Sequence, residues 1–566
     1  MNALILMLIG LAMIVAGYLF YSKYLASRVF QLDDGFVTPA HELRDGVDYV
    51  PTNKFVLWGH HFTSVAGAAP IVGPAIAVIW GWLPAFLWVT LGTVFFAGMH
   101  DMGSLWASQR NKGRSMGALS ARYIGGRGAK LFLVVIFLLL LMVIAAFAVV
   151  IKNLLIGTPS AVIPAWGAVL VALVVGQAVY RWKINLGVVT VVGVVALYAL
   201  ILLGDRFPVE LPDPILGMSP GTFWIVALFL YAGIASILPV WVLLQPRDYI
   251  NGVQLFVGLG ILYVSVLLSA PTLVAPAFND NLPADTPSIV PLLFVTIACG
   301  AISGFHGMVS SGTSSKQLDK ETDARFVGYF GAVGEGLLAL GAILAATAGF
   351  RTVAQWEEIY SAFGEGGVGA FVDGGGNLVS AGLGLPASLS ATVLATMAVL
   401  FAATTMDTGV RLLRFVVQEG GQVAGVRIGK LAGTVIVIVV AVGLTFSQGV
   451  DGSGGLLIWP LFGTTNQLLA SLTLAIIAVM LIRKRRNPLL ALIPLVLVFV
   501  MAFYAAIKQL GTFSESGEWM LLVLDVVIII AAVWVAVEAV LAMRRASKEP
   551  PEAPDADLVD AGLGKR

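Results

Sequence analysis

Apolar runs of roughly 20 residues recur along the whole chain, the length an α-helix needs to cross the hydrocarbon core of a bilayer. About fifteen are distinguishable: 2–22, 57–80, 83–105, 131–156, 161–180, 184–204, 221–244, 253–276, 289–312, 326–349, 388–410, 431–447, 456–482, 488–508 and 519–543. Only 11% of the residues are charged and 58% are hydrophobic, where a soluble domain carries about 25% charged residues. The expected fold is an all-α integral membrane protein of about fifteen transmembrane helices. A net charge of +1 gives no reason to expect nucleic acid as a partner. The one cysteine, Cys299, excludes an internal disulfide.

The loops supply a second signal. Lys23 and Arg28, the stretch Arg110–Arg127, Arg181 and Lys183, Arg247, Lys316 and Lys320, Arg411 to Arg427, Arg483–Arg486, and Arg544 with Arg545 fall in alternate loops. The intervening loops lean acidic, as at Asp205, Glu210, Asp280, Asp285, Glu357, Glu358, Glu515 and Glu518. Lysine and arginine mark the cytoplasmic side, so the N-terminus is expected outside and the C-terminus inside. The first run has its basic residues after it, the reverse of a secretory signal, and reads as a retained span.

One run cannot be an unbroken helix. Between Gly59 and Pro74 it carries Gly67, Pro70, Gly73 and Pro74. Proline removes a backbone donor and clashes with the preceding turn. Unwound backbone at membrane depth survives only when buried in protein or lining a wet cavity, and it points to a transporter's binding site. A helix restarting near Pro70 or Pro74 would turn its positive end toward an anion. A packing kink is the alternative, but two prolines and two glycines exceed what a kink requires.

Orientation exposes a possible repeat. Residues 57–204 hold five spans that begin from the inside, and residues 221–410 hold five that begin from the outside, with a second interrupted lead span at Tyr231–Pro239. The remaining parts are expected as a peripheral helix and linker (1–56), peripheral helices (411–543) and a disordered cytoplasmic tail (544–566). The Gly-rich stretch 350–387 reads as a flexible outer connector, with a lid as the alternative.

Several motifs together resemble the carbon starvation protein A (CstA) family. They are Gly59-His-His-Phe62 with Ala69-Pro-Ile-Val-Gly-Pro74, Met99-His-Asp-Met-Gly103 and Arg110-Asn-Lys-Gly-Arg-Ser115. Leu238-Pro-Val-Trp-Val-Leu-Leu-Gln-Pro-Arg-Asp-Tyr249, Cys299-Gly-Ala-Ile-Ser-Gly-Phe-His-Gly307 and Ser310-Ser-Gly-Thr313 follow. Thr404-Thr-Met-Asp-Thr408 and Trp459-Pro-Leu-Phe-Gly-Thr-Thr-Asn-Gln-Leu-Leu-Ala470 complete the set, which spans roughly residues 50 to 480. The resemblance implies an inner-membrane uptake system for pyruvate or small peptides, driven by an ion gradient. It also implies kinship with the amino acid–polyamine–organocation superfamily and its five-plus-five inverted repeat.

The candidate substrate residues are His60, His61, Gly67, Pro70, Gly73 and Pro74 in the first broken span, Ser236 in the second, and Ser303 and His306 in 289–312. His60 and His61 titrate near neutral pH and are candidates for carrying a proton, or are interfacial; being adjacent, they make a poor metal pair. In the related superfamily, hydroxyls on the third span of the second unit and carbonyls of the broken first span hold sodium. That implies a cation site from Ser310, Ser311, Thr313 and the carbonyl near Ala66, unless the hydroxyls bond back to their own helix. Glu335, mid-span in 326–349, is an ion-coupling candidate by its depth. Asp101, Arg247, Asp248 and Asp407 are expected at cytoplasmic span ends as gate charges, Asp101 beside Arg110 and Arg114 and Asp407 with Arg411. Asp525 reads as a packing or assembly group, and Asn466 and Gln467 as side chains able to satisfy backbone freed near Trp459–Gly463.

The function expected is an ion-coupled secondary transporter importing pyruvate or small peptides, with a proton or sodium as coupling ion and the lipid membrane as surroundings. The alternatives are a membrane sensor of carbon status and a passive channel. The chain holds no His-Glu-x-x-His, and no enzyme, cofactor or metal is expected.

Overall fold

The computed structural model describes residues 1–447, 449–452 and 457–550, and the regular elements among them are helices. In order they are α1 (Ala3–Phe30), α2 (Lys54–Ala66), α3 (Ala69–Trp80), α4 (Trp82–Gln109), α5 (Gly126–Gly157), α6 (Pro159–Arg181), α7 (Leu186–Arg206), α8 (Pro220–Ile237) and α9 (Leu244–Ser269). There follow α10 (Ile289–Thr296), α11 (Gly304–Gly312), α12 (Arg325–Ala348) and α13 (Gly367–Leu383). Last come α14 (Ala387–Gln422), α15 (Lys430–Thr445), α16 (Trp459–Arg483), α17 (Leu489–Glu515) and α18 (Trp519–Lys548).

Among the described residues twelve helices are long and apolar enough to cross a membrane, or thirteen when the bent pair α2 and α3 counts as one span. The expected fifteen is not reached. The run 289–312 is α10 and α11 separated by non-helical residues 297–303, and the run 431–447 yields only the 16 residues of α15. Conversely, the expected break at Tyr231–Pro239 is absent. The helix α8 continues to Ile237, and Leu238 turns extended (φ −67°, ψ 150°) before Pro239, as a residue preceding proline prefers. The proline ends the span instead of interrupting it. The next span also starts early: α9 begins at Leu244, not near 253, because Gln245–Asn251 is buried helix and not loop.

Burial orders the layers. The helix α16 is the most enclosed, with 94% of its apolar window buried, followed by α12, α5 and α14, whereas α1, α17 and α18 are only 33% buried. The expectation that residues 411–543 are all peripheral therefore fails for α16. The tail expected from 544 is helical to Lys548, and residues 551–566 lie outside the described residues.

The Gly-rich stretch 350–387 is not a loose connector. Residues Val353–Ile359 form a short helix and Gly367–Leu383 a longer one, with Phe371, Leu378 and Val379 buried. Its glycines serve close contact: a Cβ on Gly374 would lie 2.2 Å from the Ala345 carbonyl oxygen, and one on Gly375 2.4 Å from Leu394. Small residues let helix backbones approach closely where lipid supplies no hydrophobic drive. Gly374→Ala is expected to destabilise the fold by about 1–3 kcal/mol through overpacking. Gly369→Ala, with nothing within 4 Å of its Cβ, should leave stability unchanged. Thermal unfolding of the purified variants measures the difference.

Candidate functional site

The first interruption is two residues wide. The helix α2 opens with Asn53, whose side chain accepts from the Phe55 amide at 2.9 Å, and closes at Ala66. Gly67 adopts φ +55°, ψ −157°, a conformation that favours glycine. The helix α3 restarts at Ala69 with Pro70 in its first turn, where the missing N–H is harmless. The amides of Ile71 and Val72 bond the Ala68 carbonyl at 3.0 and 2.9 Å, and the two halves meet at 44°. Pro74 lies inside α3 without ending it, so the break belongs to Gly67. Gly73 serves packing: a Cβ there would lie 2.3 Å from the Thr296 carbonyl, at the end of α10.

That contact joins the first interruption to the second. Residues 297–303 carry Gly300 at φ +94°, and a Cβ on Gly300 would stand 3.7 Å from Pro70 Cα. Neighbouring spans take up the released backbone groups. Asn466 accepts from the Phe305 amide at 2.9 Å and Gln467 donates to the Phe294 carbonyl, so they serve this interruption and not the expected break at Trp459–Gly463, where α16 begins and runs on unbroken. Thr93 donates to the Gly300 carbonyl at 2.9 Å and Thr405 to the Ser64 carbonyl at 3.0 Å.

Two buried polar clusters flank the crossing. In the first, His306 of α11 pairs through Nδ1 with Asp101 Oδ2 at 2.8 Å and through Nε2 with Glu335 of α12 at 3.1 Å. His100 Nδ1 holds the other Asp101 oxygen at 2.8 Å. Beside them Asn466 donates to the Ser303 hydroxyl at 3.0 Å and lies 3.4 Å from Cys299 Sγ. Asp101 is thus no cytoplasmic anchor beside Arg110, which instead forms a two-pronged pair with Glu321 at 2.6 and 2.7 Å.

In the second cluster His60 Nδ1 meets Asp248 Oδ2 at 2.7 Å, and Arg247 holds Asp248 Oδ1 through Nε at 3.0 Å and Asp407 Oδ1 at 3.1 Å. Tyr231 donates to Asp407 at 3.0 Å. His60, Arg247, Asp248 and Asp407 are fully or nearly fully buried and Tyr231 is half-buried, so the expectation of exposed helix-end pairs fails. Asp407 pairs with Arg247 and not Arg411, whose partner is Asp48 at 2.7 Å.

The other candidates scatter. His61 turns away from His60 and meets Ser314 at 2.9 Å. Ser236 bonds the Gly233 carbonyl at 3.0 Å and faces Thr434, away from both interruptions. Ser311 and Thr313 donate to the carbonyls of Gly307 and Val309 at 2.7 and 3.0 Å, bonding back to their own turn. Ser310 is buried without a partner among the protein atoms. Ala66 is the last residue of α2, and near that end Thr405 donates to the Ser64 carbonyl. Sequence reasoning missed Thr405 and Cys299 as site members, whereas His100 was legible beside Asp101. The dipeptide His100-Asp101 inside an apolar run was the available signal.

A cavity of about 850 Å³ opens where Arg114, Lys316 and Arg427 lie, and reaches inward to Met308 and Ser311. At the opposite end Tyr360 donates to the Ala75 carbonyl at 2.7 Å and Trp80 packs on Phe363, closing the crossing on that side.

A family model described as Carbon starvation protein CstA matches residues 2–357 and 347–505. The Campylobacter jejuni protein named peptide transporter CstA is 32% identical, over 91% of this chain and 82% of its own. That of Bacillus subtilis is 30% identical, over 97% and 98%. The Escherichia coli protein named pyruvate/proton symporter BtsT is 30% identical, over 86% and 78%. Among solved structures, a mutant of the Eremococcus coleocola manganese transporter aligns over 89% of this chain and 99% of its own, with TM-score 0.49 and 12% identity, too distant to speak of substrate.

Removing one carboxylate from Arg247 leaves a buried guanidinium short of a partner, a loss on the order of 3–5 kcal/mol. Asp407→Ala is expected to lower the thermal midpoint of the purified protein by several degrees. Asp319→Ala, which removes only a half-exposed partner of His41, should shift it by no more than about 1 kcal/mol equivalent.

Proposed function

The chain belongs to the carbon starvation protein CstA family, and from that premise we propose that it is a proton-coupled secondary transporter taking up pyruvate or small peptides by alternating access. The supporting observation is the crossing of two interrupted spans beside the buried cluster Asp101–His306–Glu335. Ionisable groups at membrane depth are expensive and mark ion pathways. With His306 protonated between two carboxylates the cluster carries one net negative charge, and one further proton makes it neutral. A neutral cluster is far cheaper to seal inside a low-dielectric interior. Proton binding thereby favours closure, and proton release reopens the site.

The substrate carboxylate lies in this reading at the interruptions, near Gly67, Pro70, Ser303 and His306, where the positive end of α3 begins. Gly73 keeps the two spans in contact. In this reading residues 54–206 and 289–483 form the two opposed five-span units in place of 57–204 and 221–410, with the interrupted pair α10–α11 and the short α15 each counted as a crossing. On this division α14, and not 289–312, is the third span of the second unit. Thr405 on the Ser64 carbonyl then stands where the family likeness expects a cation-binding hydroxyl, and Ser311 and Thr313 are released from that role. His60, Arg247, Asp248 and Asp407 form the inner gate, where α2, α9 and α14 meet. The loop charges support an inner-membrane orientation with the N-terminus outside and the basic cavity facing the cytoplasm. No catalytic role is proposed.

Proteoliposomes given labelled pyruvate or a labelled dipeptide under an imposed proton gradient test the reading. One of the two is expected to accumulate against its gradient, and a sodium gradient alone should not drive it. Equilibration without accumulation means a channel, and no flux of either means a sensor. Glu335→Gln is expected to reduce gradient-driven accumulation to the level of empty liposomes while substrate-for-substrate exchange persists. Undiminished accumulation in that variant removes Glu335 from the coupling path.

A further inference from the structure

We propose that Cys299, His306 and Glu335 form a binding site for a borderline-soft divalent transition metal of the zinc type, tying the second interrupted span to α12. One ligand atom from each of the three buried residues, a sulfur, an imidazole nitrogen and a carboxylate oxygen, lies within 4.8 Å of the others. Zinc takes sulfur at about 2.3 Å and nitrogen or oxygen at about 2.0–2.2 Å. Two ligands on one tetrahedral ion therefore stand a little over 3 Å apart, and His306 Nε2 lies 3.1 Å from the Glu335 carboxylate.

The surroundings fit a metal ligand set better than an isolated trio. Asp101 fixes His306 through Nδ1 at 2.8 Å, leaving Nε2 aimed at Glu335 and the thiol. A carboxylate behind the distal nitrogen is how metal-bound histidines are commonly oriented and made more basic. Asp101 is itself held by His100 at 2.8 Å. The Asn466 amide, 3.4 Å from Cys299 Sγ, offers a donor to a thiolate. One thiolate, one carboxylate and a neutral imidazole cancel a charge of +2, which removes most of the electrostatic objection to an ion at membrane depth. Thiolate with imidazole selects zinc-like ions over magnesium or calcium, which prefer all-oxygen sites.

The three ligands come from different elements: Cys299 from the interruption at 297–303, His306 from α11 and Glu335 from α12. An ion between them bridges parts whose relative movement the transport cycle requires, so occupation arrests transport. The arrest rests on the transport reading, but binding does not.

The test uses the full-length protein purified in detergent, stripped with chelator and titrated with Co²⁺. One equivalent should bind, with near-ultraviolet absorption from thiolate-to-cobalt charge transfer. Cys299→Ser, checked for a monodisperse fold, should lose that absorption and bind at least tenfold more weakly. Glu335→Gln should bind more weakly yet keep the absorption, and His41→Ala, a surface histidine, should change nothing. Absence of charge transfer in the unmodified protein, or its persistence in Cys299→Ser, overturns the site. In proteoliposomes Zn²⁺ should inhibit uptake, with Cys299→Ser at least tenfold less sensitive, and equal sensitivity overturns the arrest. The absorption needs no transport, so its failure and that of the transport reading are distinguishable.

Discussion

An interrupted helix in hydrocarbon persists only if something else takes up the peptide groups it releases. In this protein that requirement organises the centre. Thr405, Thr93, Asn466 and Gln467 each reach a backbone group of an interrupted segment. They come from α14, α4 and α16, which explains why α14 and α16 are among the most enclosed spans. A polar side chain in a transmembrane helix is tolerable when it faces a neighbour with an open hydrogen-bonding group. The uneven burial of the bundle and its polar interior thus have a common cause.

Charge at depth follows the same logic of mutual satisfaction. Arg247 sits between two carboxylates, and His306 sits between two others. Loss of the Arg247 guanidinium would leave two buried carboxylates without their cation, at a large desolvation penalty. The two clusters lie on opposite flanks of the crossing, one joining α2, α9 and α14, the other α4, α11 and α12. Any rearrangement of one flank against the other must preserve both sets of pairs or exchange them for water.

The readable part of this architecture was the part written in local pattern. Gly67 beside Pro70 announced an interruption, and the interruption is there. Gly300 gave little warning, because no proline stands near it and one glycine in an apolar run is ordinary. Pro239 gave a false one, because its signal is the same whether a span ends or breaks. The glycines of α13 read as looseness, since their value is contact with Ala345 and Leu394, which a linear sequence does not display. The pairing of Arg247 with Asp407 joins residues 160 positions apart, and neither the pairing nor its burial shows in local pattern. Ser236, Ser311 and Thr313 carry the right chemistry, but their hydroxyls point into their own helices or at α15.

The hydroxyl of Tyr360 on the Ala75 carbonyl has a consequence for the resting population of conformations. A neutral hydrogen bond of this kind is worth about 0.5–1.5 kcal/mol, but here it joins an outer segment to the half-helix that begins at the crossing. It behaves as a latch: exposure of the far side must release it, and water must then reach a carbonyl that is otherwise dry. Anything that separates Tyr360 from α3 therefore has to offset both the lost bond and the wetting of that carbonyl.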